Sequence, residues 1–522
     1  MKDDLPPTPV INANADNAAV ARNAIAGYAA WLVNLVIGLV LTPILLRRLG
    51  ADHFGAWTLA LAVSGYVAMI DLGLGVATAR LIASSLASGD RAAASRIAGS
   101  ARAAYLCVAT IGLGALGAFA ALIPMLTSGA IATGRVRAAI VILGAGLLIA
   151  LALNVYPAIS IGAGRTDLGT TVGILSRLAT AAGQVAAVLL WASIPLLAAV
   201  TAIGTAATAL AIRAVARSRF GEVDTSLRHA SWLDIRRLIS SGWRNAAIAA
   251  AAAVALQSDV IVVGSFLSTA AVAAYGVAVR AATVVQDVAT RATDVLIPTF
   301  AHATVVGDRQ RTQSALYESV FLSRAILAPA LVGLVAFGQP LLRLWLDGVP
   351  HGARSVLILL VLGLVVAAPG HSCFVLLTGM NRLSYLLIGA TVTATLNLGL
   401  SVLLTWRVGI TGPVLGSLGG FCVWDLVLLP RYVCRILDLS WPRLAASGID
   451  RLMLPSIVSI GLAWLLVSGL GWRSPLQGLA GVALTSAVYT LALGFAMGRD
   501  RRSRYRRLIG GAFNLRRGAA EA

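Results

Sequence analysis

Charged residues are scarce in this chain of 522 residues. They make up 12% of the sequence, whereas hydrophobic residues make up 58%. A soluble domain carries about 25% charged residues, and an apolar excess of this size cannot be buried in a water-soluble core. The mean hydropathy of +0.86 therefore excludes a soluble protein and indicates an integral membrane protein.

Recognisable catalytic motifs are also missing. The sequence contains no GxxxxGK[ST] P-loop, no HExxH and no GxSxG in a strand–turn–helix setting. The predicted loops on the outer side are all short, so they offer no room for a glycosyltransferase, ligase or polymerase site. We therefore expect no enzyme and no cofactor. The cysteines lack metal-ligand spacing and are interpreted as small core residues rather than as a metal site: Cys107, Cys373, Cys422 and Cys434.

Long apolar runs fill most of the chain, and each reaches roughly the 20 residues that a helix needs to cross a bilayer. They are continuous, unlike the alternating segments of about 10 residues that build membrane barrels. We predict an all-α integral membrane protein with about fourteen transmembrane helices. The runs are residues 24–46, 55–79, 103–126, 138–160, 168–191, 194–212, 243–267, 270–300, 317–345, 354–378, 383–405, 410–433, 452–470 and 475–497.

The positive charge of the chain is carried almost entirely by arginine, since Lys2 is the only lysine and the net charge is +20. Arginines concentrate in every second loop, which is the positive-inside pattern that orients membrane proteins. This pattern predicts that both termini are cytoplasmic and that the charge does not serve a nucleic-acid partner. Arg47 and Arg48 run against it. The basic tail has a second interpretation, contact with anionic lipid.

An internal repeat organises the chain. Phe54 and Gly55 match Tyr275 and Gly276 at an offset of 221 residues, and Asp90 matches Asp308 at an offset of 218. Six spans in each half predict two pseudo-symmetric lobes with the same orientation, as in transporters built from parallel repeats. The predicted segments are a cytoplasmic polar leader at 1–22, an N-lobe of spans 1–6 at 23–213, a basic amphipathic linker at 214–242, a C-lobe of spans 7–12 at 243–435, spans 13–14 at 436–497 and a basic cytoplasmic tail at 498–522.

Span eight carries a stripe of charge. Arg280, Asp287, Arg291 and Asp294 are spaced 7, 4 and 3 residues apart, which places them on one face over roughly 21 Å of helix. Charges are too costly to face lipid, so the stripe predicts a water-filled cavity or an ion pair between Asp287 and Arg291. The alternative is that the span ends early and its second half lies on the cytoplasmic surface.

Span two carries a single carboxylate within an apolar run. Ser64, Asp71 and Thr78 are each seven residues apart and would share a helix face. At the offset of 221, Asp71 corresponds to residue 292, beside Arg291. We therefore expect both helices to line one central cavity. The alternatives are a packing hydrogen bond or salt bridge for Asp71, and an ordinary snorkelling arginine for Arg80.

Two further arginines stand at the cytoplasmic starts of equivalent spans. Arg22 precedes span one and Arg244 begins span seven, where a cationic pair would meet an anionic head group. The alternative is that both are simple topology signals. The remaining polar residues within spans are scattered and receive no functional assignment: Asn154, Arg177, Gln184, His371, Asn397 and Asp425.

The stretch at residues 41–83 contains LGADHFGAW followed by DLG. It resembles the N-terminal signature of polysaccharide flippases of the Wzx (RfbX) type, in which LG-x-x-x-[YF]-G-x-[WY] leads into a helix carrying D-[LFI]-G. Residues 271–300 resemble the eighth helix of that family. The resemblance implies two six-helix lobes that rock between inward-open and outward-open states, within the multidrug/oligosaccharidyl-lipid/polysaccharide exporter superfamily. It also implies transfer of undecaprenyl-pyrophosphate-linked oligosaccharide repeat units across the bacterial inner membrane, for surface polysaccharide such as lipopolysaccharide.

The resemblance also suggests roles for the charged residues. Arg280, with Arg291 or Arg80, would bind the pyrophosphate, and Asp71 or Asp287 would hold a counter-charge or a coupling proton or sodium ion. The expected partners are lipid-linked oligosaccharide, membrane lipids, a polysaccharide polymerase and a chain-length regulator. The cavity residues predicted as substrate-binding are Arg280, Arg291, Asp71, Asp287, Arg80, Arg22, Arg244 and Asp294.

Three other functions stay open at this point. A cation-coupled drug or metabolite antiporter of the same superfamily would carry acidic residues in its cavity without arginines. A membrane enzyme that polymerises or ligates glycans would need a large outer loop. A scaffold for a glycan assembly complex would leave the charges within the spans without a purpose.

Overall fold

A computed structural model of the chain describes residues 13–71, 73–126, 134–294, 308–346, 348–380 and 382–497, together with Leu296 and Phe300. These residues are almost entirely helical, and none of them forms a strand. The prediction of an all-α membrane protein is therefore confirmed. The predicted basic tail at 498–522 lies outside the described residues.

Contacts divide the chain into two compact units, Met1–Ala273 and Ala274–Ala522. The helices of the first unit are α1 (Ala13–Gly65), α2 (Leu74–Ala87), α3 (Arg91–Leu126), α4 (Gly134–Ala152), α5 (Val155–Gly162), α6 (Thr166–Leu190), α7 (Ile194–Arg219) and α8 (Trp232–Phe266). Helix α9 (Thr269–Asp294) begins in the first unit and lies mostly in the second.

The second unit continues with longer helices and two π-helical turns. Its helices are α10 (Arg309–Leu346), α11 (Ala353–Gly379), α12 (Leu383–Val408), α13 (Gly412–Phe421), α14 (Leu429–Leu437), α15 (Trp441–Ala445), α16 (Ile449–Trp464) and α17 (Pro475–Ala496). The π-helical turns are Cys422–Leu428, between α13 and α14, and Leu465–Gly469, after α16. Helix α17 begins with a capping box formed by Ser474 and Gln477.

Twelve helical segments of the described chain are long and apolar enough to cross a membrane. Two of them, Arg22–Gly65 and Ser384–Leu437, contain 44 and 54 residues. At 1.5 Å per residue, each far exceeds the roughly 30 Å of a bilayer core, so each has the length for two crossings. The chain bends within both, at Gly50 and at Gly409, where φ is positive. The twelve segments thus agree with the prediction of about fourteen crossings.

The outer surfaces of the helices are apolar. Large hydrophobic side chains such as Ile25, Leu190 and Phe495 are exposed to between 66% and 79%. A soluble protein rarely exposes such residues in contiguous patches, whereas a bilayer accepts them. The interior contains many small residues, including the fully buried Ala60 and Ala98, which allow membrane helices to approach closely.

The second crossing is broken at the position of Asp71. Helix α1 ends at Gly65, a 3₁₀ turn covers Tyr66–Asp71, and α2 starts only after Gly73, whose φ is 66°. The expectation of one continuous helix through Ser64, Asp71 and Thr78 is therefore wrong. Interrupted backbone within a membrane is tolerated where it is buried in protein or lines a cavity. The break thus marks this region as a candidate site.

Glycine allows α8 to pack closely against this break. A Cβ atom on Gly242 would lie 2.6 Å from the carbonyl oxygen of Gly73, which is far too close for a real side chain. Helix α8 also packs against α1 and α3. It begins at Trp232, so the amphipathic stretch at the end of the predicted linker is continuous with the seventh crossing. The predicted lobe boundary around this linker stays a prediction.

The linker before α8 is held on α3 by hydrogen bonds. The backbone N–H groups of Asp224 and Ser231 donate to the hydroxyls of Ser95 and Ser100, at 3.0 and 2.9 Å. Arg102 donates to the carbonyl oxygen of Thr225 at 3.1 Å. The linker therefore fixes where α8 begins.

In the second unit, one face of α10 holds the connection that leads to the last helices. The Arg309 guanidinium donates to the Ile436 and Leu437 carbonyls, and Gln313 donates to Leu437 as well. Further along the same helix, the buried Arg324 donates to the Ser447 carbonyl at 3.0 Å. Arg309 and Gln313 are four residues apart and therefore share a helix face, so α10 holds this connection in place.

Candidate functional site

A cavity of about 440 Å³ lies in the first unit, beside the broken second crossing. We call it the first-unit cavity. The 3₁₀ turn, α4, the start of α5, α6 and α7 form its walls. Its volume lies in the range of about 300–1,000 Å³ that is usual for ligand sites. Its polar lining consists of Asp71, Asn154, Arg177, Thr180, Thr201, Thr205 and Thr208.

Asp71 is the carboxylate of this cavity, and it is hydrogen-bonded. The side-chain amide of Asn154 donates to Asp71 Oδ1 at 3.0 Å and approaches the Tyr105 hydroxyl at 3.4 Å. The hydroxyl of Tyr105, a fully buried residue, lies beside the same carboxylate. Residues from the 3₁₀ turn, from α3 and from the α4–α5 junction thus meet at one carboxylate. Asp71 therefore makes the hydrogen bond that was one of the alternatives, and it also lines the cavity.

Threonines form a stripe along α7 in the cavity wall. Thr201, Thr205 and Thr208 are spaced four and three residues apart, which places them on one helix face. Each hydroxyl donates to the carbonyl one turn earlier, at 2.7–2.8 Å. The O–H groups of these threonines are therefore already hydrogen-bonded as donors, and their oxygen lone pairs remain available as hydrogen-bond acceptors. Gln184 uses one of these acceptors, the Thr201 oxygen, at 2.8 Å.

Arg177 supplies the positive charge of the cavity. It lies on α6, it is exposed, and it forms no ion pair with any residue that the structure describes. The first-unit cavity therefore combines a carboxylate, a guanidinium and a row of hydroxyl acceptors. Such a surface suits a ligand rich in hydroxyl groups. The ligand hydroxyls can donate to the threonine and carboxylate oxygens, and the ligand oxygens can accept hydrogen bonds from the Arg177 guanidinium.

Arg22, predicted as a substrate-binding residue, forms an ion pair at the start of α6. Its Nε lies 3.0 Å from Asp167 Oδ2, and Arg165 binds the same carboxylate through two nitrogens at 3.0 and 3.2 Å. The Asn23 side chain also joins α1 to the start of α6, because it accepts a hydrogen bond from the Asp167 backbone N–H and donates one to the Gly164 carbonyl. The nearby carboxylate raises the pKa of Arg165. Arg22 is thus part of a structural network joining α1 to α6.

The four charged residues of the predicted stripe all lie on α9, which ends at Asp294. Arg280 and Asp287 are half-buried, and each interacts with another group. Arg291 is exposed and makes no ion pair among the described residues, so the expected pair with Asp287 is not formed. A cavity shared by this stripe and Asp71 stays a prediction.

The other two predicted arginines are exposed. Arg80 lies on the outside of α2. The Arg244 guanidinium lies over the ring of Trp243 at 5.4 Å from its centroid, about three turns after the start of α8. Neither of them lines the first-unit cavity.

Asn154 and Arg177 were left unassigned by the sequence, although both line the cavity. A signal for Asn154 existed, because it is the only side-chain amide in the apolar run 138–160. The structure shows that the helix is interrupted there, between α4 and α5. An amide at a break within a membrane span is expected to serve a partner, and here that partner is Asp71.

The family model described as polysaccharide biosynthesis protein matches residues 20–304, which is more than half of the chain. The match covers the broken crossing, the first-unit cavity and the charged stripe of α9.

Two curated relatives match part of the chain. The succinoglycan biosynthesis transport protein ExoT of Rhizobium meliloti is 27% identical over 246 residues, covering 46% of this chain and 49% of the relative. The probable low-salt glycan biosynthesis flippase Agl15 of Haloferax volcanii is 22% identical over 273 residues, covering 52% and 56%. The chain thus spans about half the length of the curated relatives it matches.

Solved structures resemble the chain over most of its length. The lipid II flippase MurJ in an inward closed conformation matches with a TM-score of 0.70 and 13% identity, covering 93% of this chain and 99% of that structure. An inward-facing multidrug resistance MATE family transporter of the MOP superfamily matches with a TM-score of 0.65 and 18% identity, covering 80% and 99%. At these identities the similarity shows the fold alone.

Proposed function

This chain belongs to the polysaccharide biosynthesis protein family, and from that premise we propose that it transfers a lipid-linked oligosaccharide across a membrane. The resemblance to Wzx-type flippases suggests undecaprenyl-pyrophosphate-linked repeat units as the substrate and the bacterial inner membrane as the location. The names of the two curated relatives, a succinoglycan transport protein and a probable glycan flippase, support this class of substrate.

The observation that carries the proposal is the first-unit cavity. It places hydroxyl acceptors, a carboxylate and an arginine inside a helical membrane protein, where polar side chains face a partner or a water-filled cavity rather than lipid. A glycan presents many hydroxyl donors and cannot cross hydrocarbon unaided, because each unpaired polar group costs several kcal/mol there. The cavity supplies partners for these groups, while the lipid tail stays in the bilayer.

The charged residues outside this cavity complete the proposed mechanism. Arg280, with Arg291 or Arg80, binds the pyrophosphate through charge-assisted hydrogen bonds. Asp287 provides a counter-charge, and the protein alternates between inward-open and outward-open states. Both termini face the cytoplasm, as the arginine distribution indicates. A polysaccharide polymerase and a chain-length regulator are the proposed protein partners.

A cation-coupled drug or metabolite antiporter is the second candidate, since MATE family transporters share the fold. Such a protein would bind cationic compounds in an acidic cavity. Arg177 in the first-unit cavity and the two arginines of α9 disfavour that ligand, because like charges repel. The short connections between crossings likewise disfavour a glycan-polymerising enzyme.

The proposed function is tested by deleting the gene and locating the lipid-linked oligosaccharide. We expect the precursor to accumulate in the cytoplasmic leaflet and surface polysaccharide to be lost, both restored by the wild-type gene. Arg280→Gln and Asp71→Asn should restore export at least tenfold less well at matched protein levels. Arg219→Ala, at the C-terminal end of α7 and away from the cavity, is the matched control and should restore it fully.

Two results would contradict the proposal. If surface polysaccharide is unchanged and sensitivity to cationic drugs rises instead, the antiporter assignment replaces it. If both charge-removing variants restore export fully, the substrate does not bind through these residues.

A further inference from the structure

The first turns of α8 carry an exposed face in which tryptophan and arginine lie side by side. We call it the α8 face, and its residues are Trp232, Leu233, Arg236, Arg237, Ile239 and Trp243. At 3.6 residues per turn, these side chains fall within about 160° of the helix circumference. Leu238, on the opposite side of the helix, is fully buried. The start of α8 therefore packs on protein with one side and leaves the other side uncovered by the described chain.

The α8 face is divided into an apolar stripe and a pair of arginines. Trp232, Ile239 and Trp243 are spaced seven and four residues apart, so they follow one line along the helix. Arg236 and Arg237, which we call the arginine pair, lie beside this line. Tryptophan is enriched where membrane meets water. A helix with tryptophan and leucine on an apolar side and arginines beside it is typical of helices that lie among lipid head groups.

A hydrogen bond to α3 indicates the depth at which α8 begins. The backbone N–H of Ser231, the residue before Trp232, donates to the Ser100 hydroxyl at 2.9 Å. The apolar run of α3 begins three residues later, at position 103, which corresponds to roughly 5 Å along the helix. Trp232 and Leu233 are exposed to 75% and 74% at this level. The α8 face therefore begins at the edge of the membrane, where lipid rather than a soluble protein is the neighbour.

The protein itself does not neutralise the arginine pair. The acidic residues of the preceding linker are used elsewhere, since Glu222 pairs with Arg91 and Asp224 pairs with His229, both at 3.0 Å. Neither member of the arginine pair forms an ion pair with a residue that the structure describes. Two adjacent positive charges at the level of the head groups attract anionic lipid.

We propose that the α8 face binds anionic phospholipid. The arginine pair contacts the phosphate of the head group through charge-assisted hydrogen bonds. Trp232 and Leu233 lie against the upper part of the acyl chains, which accounts for their exposure. This inference goes beyond the proposed transport function and does not depend on it.

The bound lipid would hold the helix that supports the broken second crossing. Ten residues after Trp232, α8 reaches Gly242, where a Cβ atom would lie 2.6 Å from the carbonyl oxygen of Gly73. Gly73 follows Asp71 by two residues. A contact this close leaves little room for α8 to shift. Lipid that fixes the start of α8 therefore stabilises the packing beside the first-unit cavity.

The proposal is tested with brominated lipids, which quench tryptophan fluorescence on contact. The full-length protein is reconstituted into vesicles of phosphatidylcholine and phosphatidylglycerol at one fixed ratio. In one sample the bromine is carried by phosphatidylglycerol, and in the other by the same number of phosphatidylcholine molecules. The signal of the Trp232→Phe variant is subtracted in each case, so that the difference reports on Trp232 alone.

We expect Trp232 to be quenched by both lipids, with a preference for phosphatidylglycerol. Each basic residue near an anionic surface strengthens binding roughly fivefold, so the preference should be at least about fivefold. Arg236→Gln combined with Arg237→Gln should remove it, whereas the corresponding double lysine variant should keep it. Arg219→Gln, an exposed arginine at the end of α7, is the matched control and should also keep it. Added salt should weaken the preference, because exposed charges are screened.

Thermal unfolding provides a second measurement of the same proposal. Phosphatidylglycerol should raise the melting temperature of the wild type relative to phosphatidylcholine alone. It should not raise that of the double glutamine variant. Because both arginines are exposed, the two proteins should melt at the same temperature in phosphatidylcholine alone.

Three results would overturn the proposal. If neither lipid quenches Trp232, the α8 face lies outside the membrane and is covered by water or by a soluble protein. If both lipids quench it equally, the face touches the membrane without recognising charge. If the preference persists in the double glutamine variant, the arginine pair is not its cause. The vesicles contain no glycan, so a failure of glycan transfer in the deletion strain leaves these results unaffected.

Discussion

Each unit encloses a polar cavity, and the two cavities differ in how their carboxylates are satisfied. In the first-unit cavity, Asp71 accepts a hydrogen bond from Asn154, and the Tyr105 hydroxyl lies beside it. A cavity of about 290 Å³ in the second unit, the second-unit cavity, is lined by Asp425 and His371, which make no such bonds to the described residues. A paired carboxylate stabilises the structure around it, whereas an unpaired one away from water is costly.

The difference also assigns distinct chemistry to the two cavities. The first-unit cavity is larger and is lined by hydroxyl acceptors and Arg177, which suits a hydroxyl-rich ligand. The second-unit cavity is smaller, contains aromatic walls and has no arginine among its described lining residues. The comparison thus separates a cavity with a paired carboxylate from one whose carboxylate is unpaired within the described chain.

The largest expected effect comes from removing each carboxylate in turn. Asp71→Ala should lower the free energy of unfolding by about 2–3 kcal/mol, because it deprives the Asn154 amide of its charged acceptor beside the buried Tyr105 hydroxyl. Asp425→Ala should change the same quantity by less than about 1 kcal/mol or raise it, because it removes an unpaired charge. Denaturant unfolding of the purified protein in detergent measures both. Equal losses of unfolding free energy in the two variants would contradict the proposed difference between the two carboxylates.

A third carboxylate extends the comparison outside the cavities. Asp167 binds both Arg22 and Arg165, so Asp167→Asn should lower the apparent melting temperature, though by less than Asp71→Ala. Export by Asp167→Asn and by Arg22→Ala should fall only as far as protein level falls. Thermal unfolding and export assays of the same samples measure this. A loss of export in Arg22→Ala at normal protein level would instead support the prediction that Arg22 binds the substrate.

Arg177 tests whether the first-unit cavity binds substrate. Because Arg177 forms no ion pair with a described residue, Arg177→Ala should leave stability unchanged. Export should fall about tenfold, which corresponds to 1.4 kcal/mol of lost interaction. Arg219→Ala, on the neighbouring helix and outside the cavity, is the control. A normal export rate in Arg177→Ala would mean that the cavity does not carry the glycan.

The smallest effect is expected from one hydroxyl of the α7 stripe. Thr205→Val removes one hydroxyl acceptor at nearly constant volume and should lower export less than threefold, since one neutral hydrogen bond contributes about 1 kcal/mol or less. The same substitution outside the stripe, at Thr110, should have no effect, because Thr110 is exposed on α3. Export rates at matched protein levels measure both, and a larger fall at Thr110 would contradict the cavity assignment.

The sequence predicted the architecture well because hydropathy is a local property. Runs of about 20 apolar residues each form a helix on their own, so the class and the number of crossings follow from composition. The repeat was also visible, since matches such as Asp90 and Asp308 need only comparison along the chain. Asp71 was recognised for the same reason, as one carboxylate in an apolar run.

Pairing could not be predicted in the same way. The bond between Asn154 and Asp71 joins residues 83 positions apart, and the pair of Arg22 with Asp167 joins residues 145 positions apart. The i,i+4 pair of Asp287 with Arg291, one of two alternatives that spacing suggested, is not formed among the described residues. Separation along the chain carries no information on which helices become neighbours.

The sequence by itself determined that this protein is a two-part bundle of membrane helices with charged residues inside its spans, because the cost of polar groups in hydrocarbon acts on each segment separately. Only the tertiary structure decided that the second crossing breaks at Asp71, that Asn154 donates to its carboxylate, and that Asp425 and His371 make no hydrogen bond with the residues that the structure describes. The physical reason is that hydrogen bonding of a buried side chain depends on which neighbours the packed helices bring within about 3 Å.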